Sequence, residues 1–490
     1  MAGLREKTIK GVIWSAFQNV VSPLISFVIF FILARLLDPA AFGLLALSSV
    51  VISFMQLFLS GGFATAIVQR KSLEPQHLDT AFWVSTSIAV ILITLIISTA
   101  GFIGELFKEP DLEPIIQWLS IMLLLEALTQ VQIAQLRRKM AFRSLAIRSL
   151  IAEPIGGVIG VWMAWSGFGV WSLVARSLVT SLCKLLILWL SSDWRPGFQV
   201  SRKHFDDMFY FGASMVGTNF VNFLGRRSDT LLIGYFLGTT SLGYYNVGYR
   251  LLMMMTIMIG GTVNNVAWPL FSRLQNDLPR LRDVFYTATR LVSLLAWPVF
   301  LGIIAIAPDM VPVVFGEKWV PSIPVLQILS LIGLLRSIFL FNDSIIVSVG
   351  KPHWRMFLQI AIAVFNVLAF FLVVSWGIVA ISAVYVIVLY MFAPMSLWMV
   401  NRLIGIKVGT YWRQHIVPVF ASGVMVIIIL VIQRWFGDVW NGSIFLGLLI
   451  VSGGLTYVLT VYLVSPSIFA QVITLVKDIR SKDGQSKAGR

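Results

Sequence analysis

The chain has 490 residues, 58% of them hydrophobic and only 12% charged, with a mean hydropathy of +0.88. A soluble domain carries about 25% charged residues, so a water-soluble globule is excluded and the chain reads as an all-α integral membrane protein. Its net charge of +15 comes from Lys and Arg in short loops between apolar runs. That distribution points to membrane orientation against anionic lipid headgroups and argues against nucleic-acid binding.

Apolar runs long enough to cross ~30 Å of hydrocarbon lie at 11–35, 41–66, 80–104, 114–136, 145–165 and 168–190. After a polar break at 191–206 they resume at 208–237, 243–272, 286–307, 322–348, 354–375, 377–401, 414–434 and 441–465. This predicts about fourteen transmembrane helices. The run after the basic segment Met1–Lys10 is expected to be a retained span and not a cleaved signal.

Alternate loops are rich in Lys and Arg, among them Arg70 and Lys71, Arg137 to Lys139, Arg202 and Lys203, and Lys351 and Arg355. The intervening loops hold almost none, with Lys108 and Lys318 the main exceptions. The alternation predicts an even number of spans with both termini cytoplasmic.

An internal repeat is written in the same segments. Arg35–Gly43 aligns with Tyr235–Gly243, Ile116–Leu124 with Leu326–Leu334, and Phe168–Leu173 with Trp376–Ile381. Glycine pairs at Gly61-Gly62 and Gly260-Gly261 follow the first match. Spans one to six thus resemble spans seven to twelve, and because six is even the copies are related by an axis along the membrane normal. The expected organisation is an N-terminal six-helix lobe (1–190), a cytoplasmic linker (191–207), a C-terminal six-helix lobe (208–403), two further helices (404–476) and a basic cytoplasmic tail (477–490).

Chemistry of the enzymatic kind finds no footing. Cys183 is the sole cysteine, so no intrachain disulfide or cysteine metal cluster can form. The four histidines, His77, His204, His353 and His415, fall in or beside predicted cytoplasmic loops without metal-pair spacing. No nucleophile motif or phosphate-binding glycine loop occurs. No catalytic residue, metal or cofactor is expected, and the chain reads as a carrier.

Charges within apolar spans are costly in lipid and mark water-filled or paired sites. The seventh span carries Asn219, Asn222, Arg226 and Asp229 on one helical face, and the eighth carries Asn246 and Arg250 one turn apart. Arg226–Asp229 and Arg250–Asp229 are the purely structural pairings open to these groups. The sixth span adds Arg176 and Lys184, and the tenth adds Arg336 and Asp343. Arg250, Arg226, Arg336, Arg176, Asn219, Asn222 and Asn246 are the candidates for an anion site, since guanidinium grips phosphate oxygens bidentately. Glu126, Glu153, Asp229 and Asp343 are candidates for H+ or Na+ coupling or for structural pairing. Gly156 to Gly160 fits close helix packing. Cations outnumber acids in the interior, which suits an anionic solute better than a cationic drug.

The opening Leu4–Ser15 and the segment Val314–Gln327 resemble the polysaccharide-exporting flippases, in the branch of the colanic acid and teichuronic acid exporters. These belong to the multidrug, oligosaccharidyl-lipid and polysaccharide exporter superfamily. The resemblance implies two six-helix lobes, alternating access, and an undecaprenyl-pyrophosphate-linked oligosaccharide carried from the cytoplasmic to the periplasmic leaflet of the bacterial inner membrane. It implies glycosyltransferases and a polysaccharide polymerase as partners, besides the lipid-linked sugar and membrane lipids. Arg250 after Gly243-Tyr-Tyr245 resembles an eighth-span arginine of the peptidoglycan-precursor flippases, thought to contact pyrophosphate. Those proteins also use arginines in their first two spans, whereas here the second has none and Arg35 ends the first. An ion-coupled multidrug or organic-cation antiporter on the same fold is the alternative.

Overall fold

Proline writes several helix starts in this chain. Pro39, Pro75 and Pro352 each open a helix, where the missing N–H has no intrahelical partner to lose. The computed structural model describes residues 21–59, 63–70, 73–437 and 442–467, apart from the side chains at 64, 69, 142, 207–216, 218, 221–222 and 261–269. The Leu4–Ser15 motif, Gly61-Gly62, the Asn222 side chain and the tail 477–490 therefore lie outside the described residues.

In chain order the described helices are α1 (Val21–Leu36), α2 (Pro39–Leu59), α3 (Phe63–Gln69), α4 (Pro75–Phe107), α5 (Leu112–Arg138), α6 (Phe142–Trp165), α7 (Trp171–Ser191) and α8 (Arg202–Leu274). They continue as α9 (Leu278–Phe315), α10 (Ile323–Ile338), α11 (Asn342–Ser348), α12 (Pro352–Val373), α13 (Ile378–Ile404), α14 (Val408–Phe436) and α15 (Ser443–Val464). Eleven helical segments among the described residues are long and apolar enough to cross a membrane.

Two local differences from the sequence reading have physical causes. The loop expected at 238–242 shrinks to a single residue: α8 runs 73 residues, broken only at Gly238, whose φ of 78° and ψ of 175° are open to glycine alone. The span expected at 322–348 is divided, because a short turn at 339–341 separates α10 from α11. A 3-10 turn, Glu317–Ser322, precedes α10.

Contacts group the chain into two compact units, one of residues 1–254, 314–325 and 356–388, the other of 255–313, 326–355 and 389–490. In the first, α5 packs against α2, α3, α4 and α7. Its position follows from composition: Gln130 and Gln132 are buried, and such amides avoid lipid by facing protein. The segment after α7 is pinned to the start of α4. Asp79 accepts from the backbone N–H groups of Gly197 (3.0 Å) and Gln199 (3.4 Å), Thr80 Oγ1 accepts from Ser201 N (3.1 Å), and Trp83 Nε1 donates to Gly197 O (2.7 Å).

The repeated segments meet. A methyl group on Gly43 would fall on the carbonyl oxygen of Thr239, and one on Gly243 would fall on that of Pro39. Only glycine permits backbones this close. Phe315 and Trp319, from the Val314–Gln327 motif, are fully buried in the same unit. Trp319 Nε1 donates to Ala34 O at 2.8 Å, its ring meets Phe42 edge-on at 5.4 Å, and Phe315 lies 4.8 Å from Phe31. The motif is an anchor for the end of α1.

In the second unit, polar pairs tie α9 to α14: Arg290 Nε donates to Gln414 Oε1 (2.7 Å) and Ser293 Oγ lies 2.8 Å from His415 Nδ1. The Asn342 amide donates to Ser396 Oγ at 3.0 Å, and α14 packs against α15.

Candidate functional site

The first unit gathers two of the predicted arginines on α1. Ser26 and Phe30 are four residues apart, which sets them on one face and about 6 Å apart along the helix axis. Arg176, from α7, is buried and donates to Ser26 Oγ at 2.9 Å, with the Ser26 carbonyl at 3.5 Å. Arg250, from the second half of α8, holds its guanidinium 4.3 Å from the centroid of the Phe30 ring. A cation over an aromatic face is stabilised without being neutralised. Arg176 likewise gives its charge to a hydroxyl and a carbonyl, which are neutral acceptors. Two guanidinium groups on successive turns of one helix can grip an anion with two phosphoryl groups, each through paired N–H donors.

The acids are arranged differently. Asp229 is buried and accepts from Tyr245 OH (2.8 Å), Thr230 N (2.6 Å) and Thr230 Oγ1 (3.2 Å). Neither structural pairing considered from sequence, with Arg226 or with Arg250, is among these bonds, because the phenol and the next residue in the chain occupy the carboxylate. Glu153 is bridged to Lys184 at 2.8 Å between α6 and α7. Glu126 accepts from Gln56 Nε2 at 2.8 Å. Asp343, in the second unit, lies 3.1 Å from Arg355 Nε.

Of the other predicted anion ligands, Asn219 and Asn246 are half-buried on α8, Arg226 is exposed there, and Arg336 is half-buried on α10 in the second unit. The structure therefore brings Arg176 and Arg250 together on α1 and does not group Arg336 with them in one unit. Ser26, Phe30 and Tyr245 are site residues the sequence reading passed over. An aromatic residue in an apolar span reads as lipid-facing or core, and nothing in a helical period marks which ring faces a cation. Tyr245 did carry a signal, its place in the Gly243-Tyr-Tyr245 segment just after the repeat match.

Glu74, His77 and His204 bring ligand-type atoms within 4.8 Å of one another. They serve the clasp on the linker: His204 Nε2 lies 3.1 Å from Glu74 Oε2, and the Glu74 N–H bonds His77 Nδ1 at 3.2 Å. A metal taking His77 Nδ1 would displace the bond that caps α4.

A family profile described as "Polysaccharide biosynthesis protein" matches residues 32–324, more than half of the chain. This chain belongs to that family. Members of this family are transmembrane transporters and not enzymes. Among similar proteins is the Escherichia coli (strain K12) "Lipopolysaccharide biosynthesis protein WzxC", 27% identical over 445 residues and covering 90% of each chain. The Bacillus subtilis (strain 168) "Teichuronic acid biosynthesis protein TuaB" is 23% identical, over 87% of this chain and 89% of its own. The fold is shared with the structure titled "Lipid II flippase MurJ, inward closed conformation", at a TM-score of 0.74 and 12% identity, covering 94% of this chain and all of that one. The family assignment agrees with the resemblance carried by Val314–Gln327, and the structure adds what that motif does: Phe315 and Trp319 hold α1, the helix that Arg176 and Arg250 contact. The protein is a multi-pass membrane transporter of polysaccharide biosynthesis.

Proposed function

We propose that this protein is a flippase that moves undecaprenyl-pyrophosphate-linked oligosaccharide units from the cytoplasmic to the periplasmic leaflet of a bacterial inner membrane, by alternating access, for export of a cell-surface polysaccharide. One observation carries the reading: Arg176 and Arg250 are held on adjacent turns of α1 by Ser26 and Phe30. The bonded partners of these intramembrane cations are neutral, and the one acid that acts on both, Glu153, is itself bridged to Lys184. That arrangement suits an anion brought in from outside, and a diphosphate offers the matching oxygens. The relatives named for lipopolysaccharide and teichuronic acid biosynthesis, and the fold shared with a lipid II flippase, support a lipid-linked sugar as that anion.

Asn246, one turn before Arg250, and Asn219, Asn222, Arg226 and Arg336 are assigned to the wider substrate path. Glu153, Asp229 and Asp343 are assigned structural roles, supported by their bonds to Lys184, Tyr245 and Arg355. Glu126, bonded to the neutral Gln56, is the remaining candidate for H+ or Na+ coupling. Acids engaged in this way do not favour the organic-cation antiporter.

The architecture proposed with this function has fourteen spans: the eleven helices already counted, α1, and the two halves of α8 on either side of Gly238. Spans one to six and seven to twelve form the two lobes, with α14 and α15 appended. The reciprocal approach of Gly43 to Thr239 and Gly243 to Pro39 supports the repeat, since equivalent positions contact each other crosswise as across a two-fold axis. Both termini are cytoplasmic, and glycosyltransferases and a polymerase act before and after transport.

The experiment is export of a labelled lipid-linked oligosaccharide in a strain lacking its own flippase. The protein is expected to restore polymer output, and Arg250→Ala to abolish it with normal membrane abundance. Normal output from Arg250→Ala would remove the arginine pair from the site. Collapse of the proton gradient is expected to slow transport by the parent chain and leave Glu126→Gln unchanged.

A further inference from the structure

Two imidazoles are packed together where the segment after α7 meets the start of α4. His77, in the first turn of α4, and His204, in the first turn of α8, are both buried. Their rings meet edge to face with centroids 4.2 Å apart. Glu74, at the head of α4, is exposed, so its carboxylate is the member of the group that meets solvent. One ligand-type atom from each of the three lies within 4.8 Å of the other two.

Holding the segment in place does not require this pair. Asp79, Thr80 and Trp83 already tie residues 197–201 to α4 through four hydrogen bonds. Burying an imidazole is costly where a ring nitrogen is left without a partner. In His204 one is. A carboxylate only accepts, so Nε2 donates in the 3.1 Å contact with Glu74 Oε2. In the neutral ring Nδ1 is then a bare lone pair, buried and without a hydrogen-bond partner. Hydrogen bonding within the protein thus leaves the imidazole pair incomplete, and an orphaned buried nitrogen of this kind calls for a further group at the site.

We propose that Glu74, His77 and His204 bind one divalent transition-metal ion of the zinc class, through one nitrogen of each ring and one carboxylate oxygen. The donor set selects the ion. Calcium and magnesium take oxygen ligands, whereas imidazole with carboxylate suits zinc, whose three-ligand sites keep a fourth position for water. The exposed Glu74 supplies the entry path and the wet side. Glu74 and His77 are three residues apart and so neighbours at the start of one helix. His204 arrives from 130 residues beyond Glu74, which is why spacing alone shows no metal pair. A metal-bound imidazole carries its proton on the other nitrogen, so whichever nitrogen of His77 is taken, the bond from Glu74 N–H to Nδ1 is lost. At 3.2 Å that bond is long and neutral, a small loss against three coordinate bonds. Lys203 acts on Glu74 as a fixed cation and tempers the affinity. The bound ion joins the start of α4 to the start of α8 and fixes the segment that leads from α7 into α8. The assignment is independent of the cargo.

The test uses the full-length protein, purified in detergent without a histidine tag and stripped with EDTA. Zn2+ is titrated in competition with a chromophoric chelator, and a single ion per chain is expected to bind with micromolar affinity. Co2+ is expected to give the visible absorption of a four-coordinate centre. Glu74 is exposed, so Glu74→Ala keeps the fold, and it is expected to weaken Zn2+ binding about tenfold or more. His204→Gln is expected to weaken it about a hundredfold, while His353→Ala, outside the cluster, leaves it unchanged. Saturating Zn2+ is also expected to slow chymotrypsin cleavage after the exposed Phe198 about tenfold in the parent chain and not in Glu74→Ala. Binding equal in the parent and in both ligand variants is adventitious and overturns the assignment. The absence of saturable binding, or a cleavage rate that ignores Zn2+, overturns it equally. If His204→Gln fails to fold, Glu74→Ala decides alone.

Discussion

Ser26 and Phe30 stand one turn apart on α1, and each receives an arginine from a different helix, Arg176 from α7 and Arg250 from α8. The two contacts differ in kind, and so do the substitutions that separate them. Arg250→Lys keeps a cation over Phe30 but loses the planar fork, so export is expected to be partial. Arg250→Ala removes a charged hydrogen-bonding group worth ~1.5–3 kcal/mol and is expected to lower the rate by tenfold or more. Phe30→Leu preserves bulk and removes the ring, and should weaken cargo binding by the ~0.5–2 kcal/mol of a cation–π contact. Initial rates of labelled-lipid translocation in vesicles check all three.

Gly43 and Gly243 are expected to be equally intolerant of a side chain. Alanine at either sets a methyl on a carbonyl oxygen across the contact, an overpacking that costs ~1–3 kcal/mol. Melting of the purified protein in detergent should show similar losses for Gly43→Ala and Gly243→Ala. A loss in one and none in the other would break the proposed equivalence of the two copies.

Asp79 holds two backbone N–H groups of the segment after α7. Asp79→Ala leaves both without their acceptor, at ~1–3 kcal/mol for each donor that stays buried. Faster proteolysis within residues 193–201 is expected, with the apolar spans intact. Asp79→Asn retains one acceptor and should fall between.

The neighbouring clasp responds to acid. The hydrogen bond from His204 holds the exposed Glu74 carboxyl below its ordinary value of 4.5. A carboxyl depressed by folding stabilises the folded state above its unfolded pKa and loses that contribution as pH falls through the folded one. The Glu74–His204 contact is therefore intact at neutral pH and is released below about 4.5. Hydrogen exchange at the start of α8 should rise across that window, and Glu74→Gln should abolish the dependence.

Much of the fold was legible because spans are long, apolar and periodic. The runs at 80–104, 114–136 and 145–165 fall within α4, α5 and α6, and the paired glycines at 43 and 243 were readable as a repeat. The site was legible only in half. A guanidinium inside an apolar run announces itself by its cost, so Arg176 and Arg250 were found. Their partners Ser26 and Phe30 lie 150 and 220 positions away, and such distances leave no trace in local spacing. Asp229 shows the same limit in reverse. Its sequence neighbour Arg226 looked like the natural counterion, yet the carboxylate is taken by Tyr245, sixteen residues on across the Gly238 break.

That break has a mechanical meaning. Gly238 joins the halves of α8 with no loop, in a backbone conformation other residues resist. A connection one residue long has no slack to absorb displacement. Tilt or twist of the half bearing Asn219 and Arg226 is therefore expected to reach the half bearing Arg250 directly, with Gly238 as the joint.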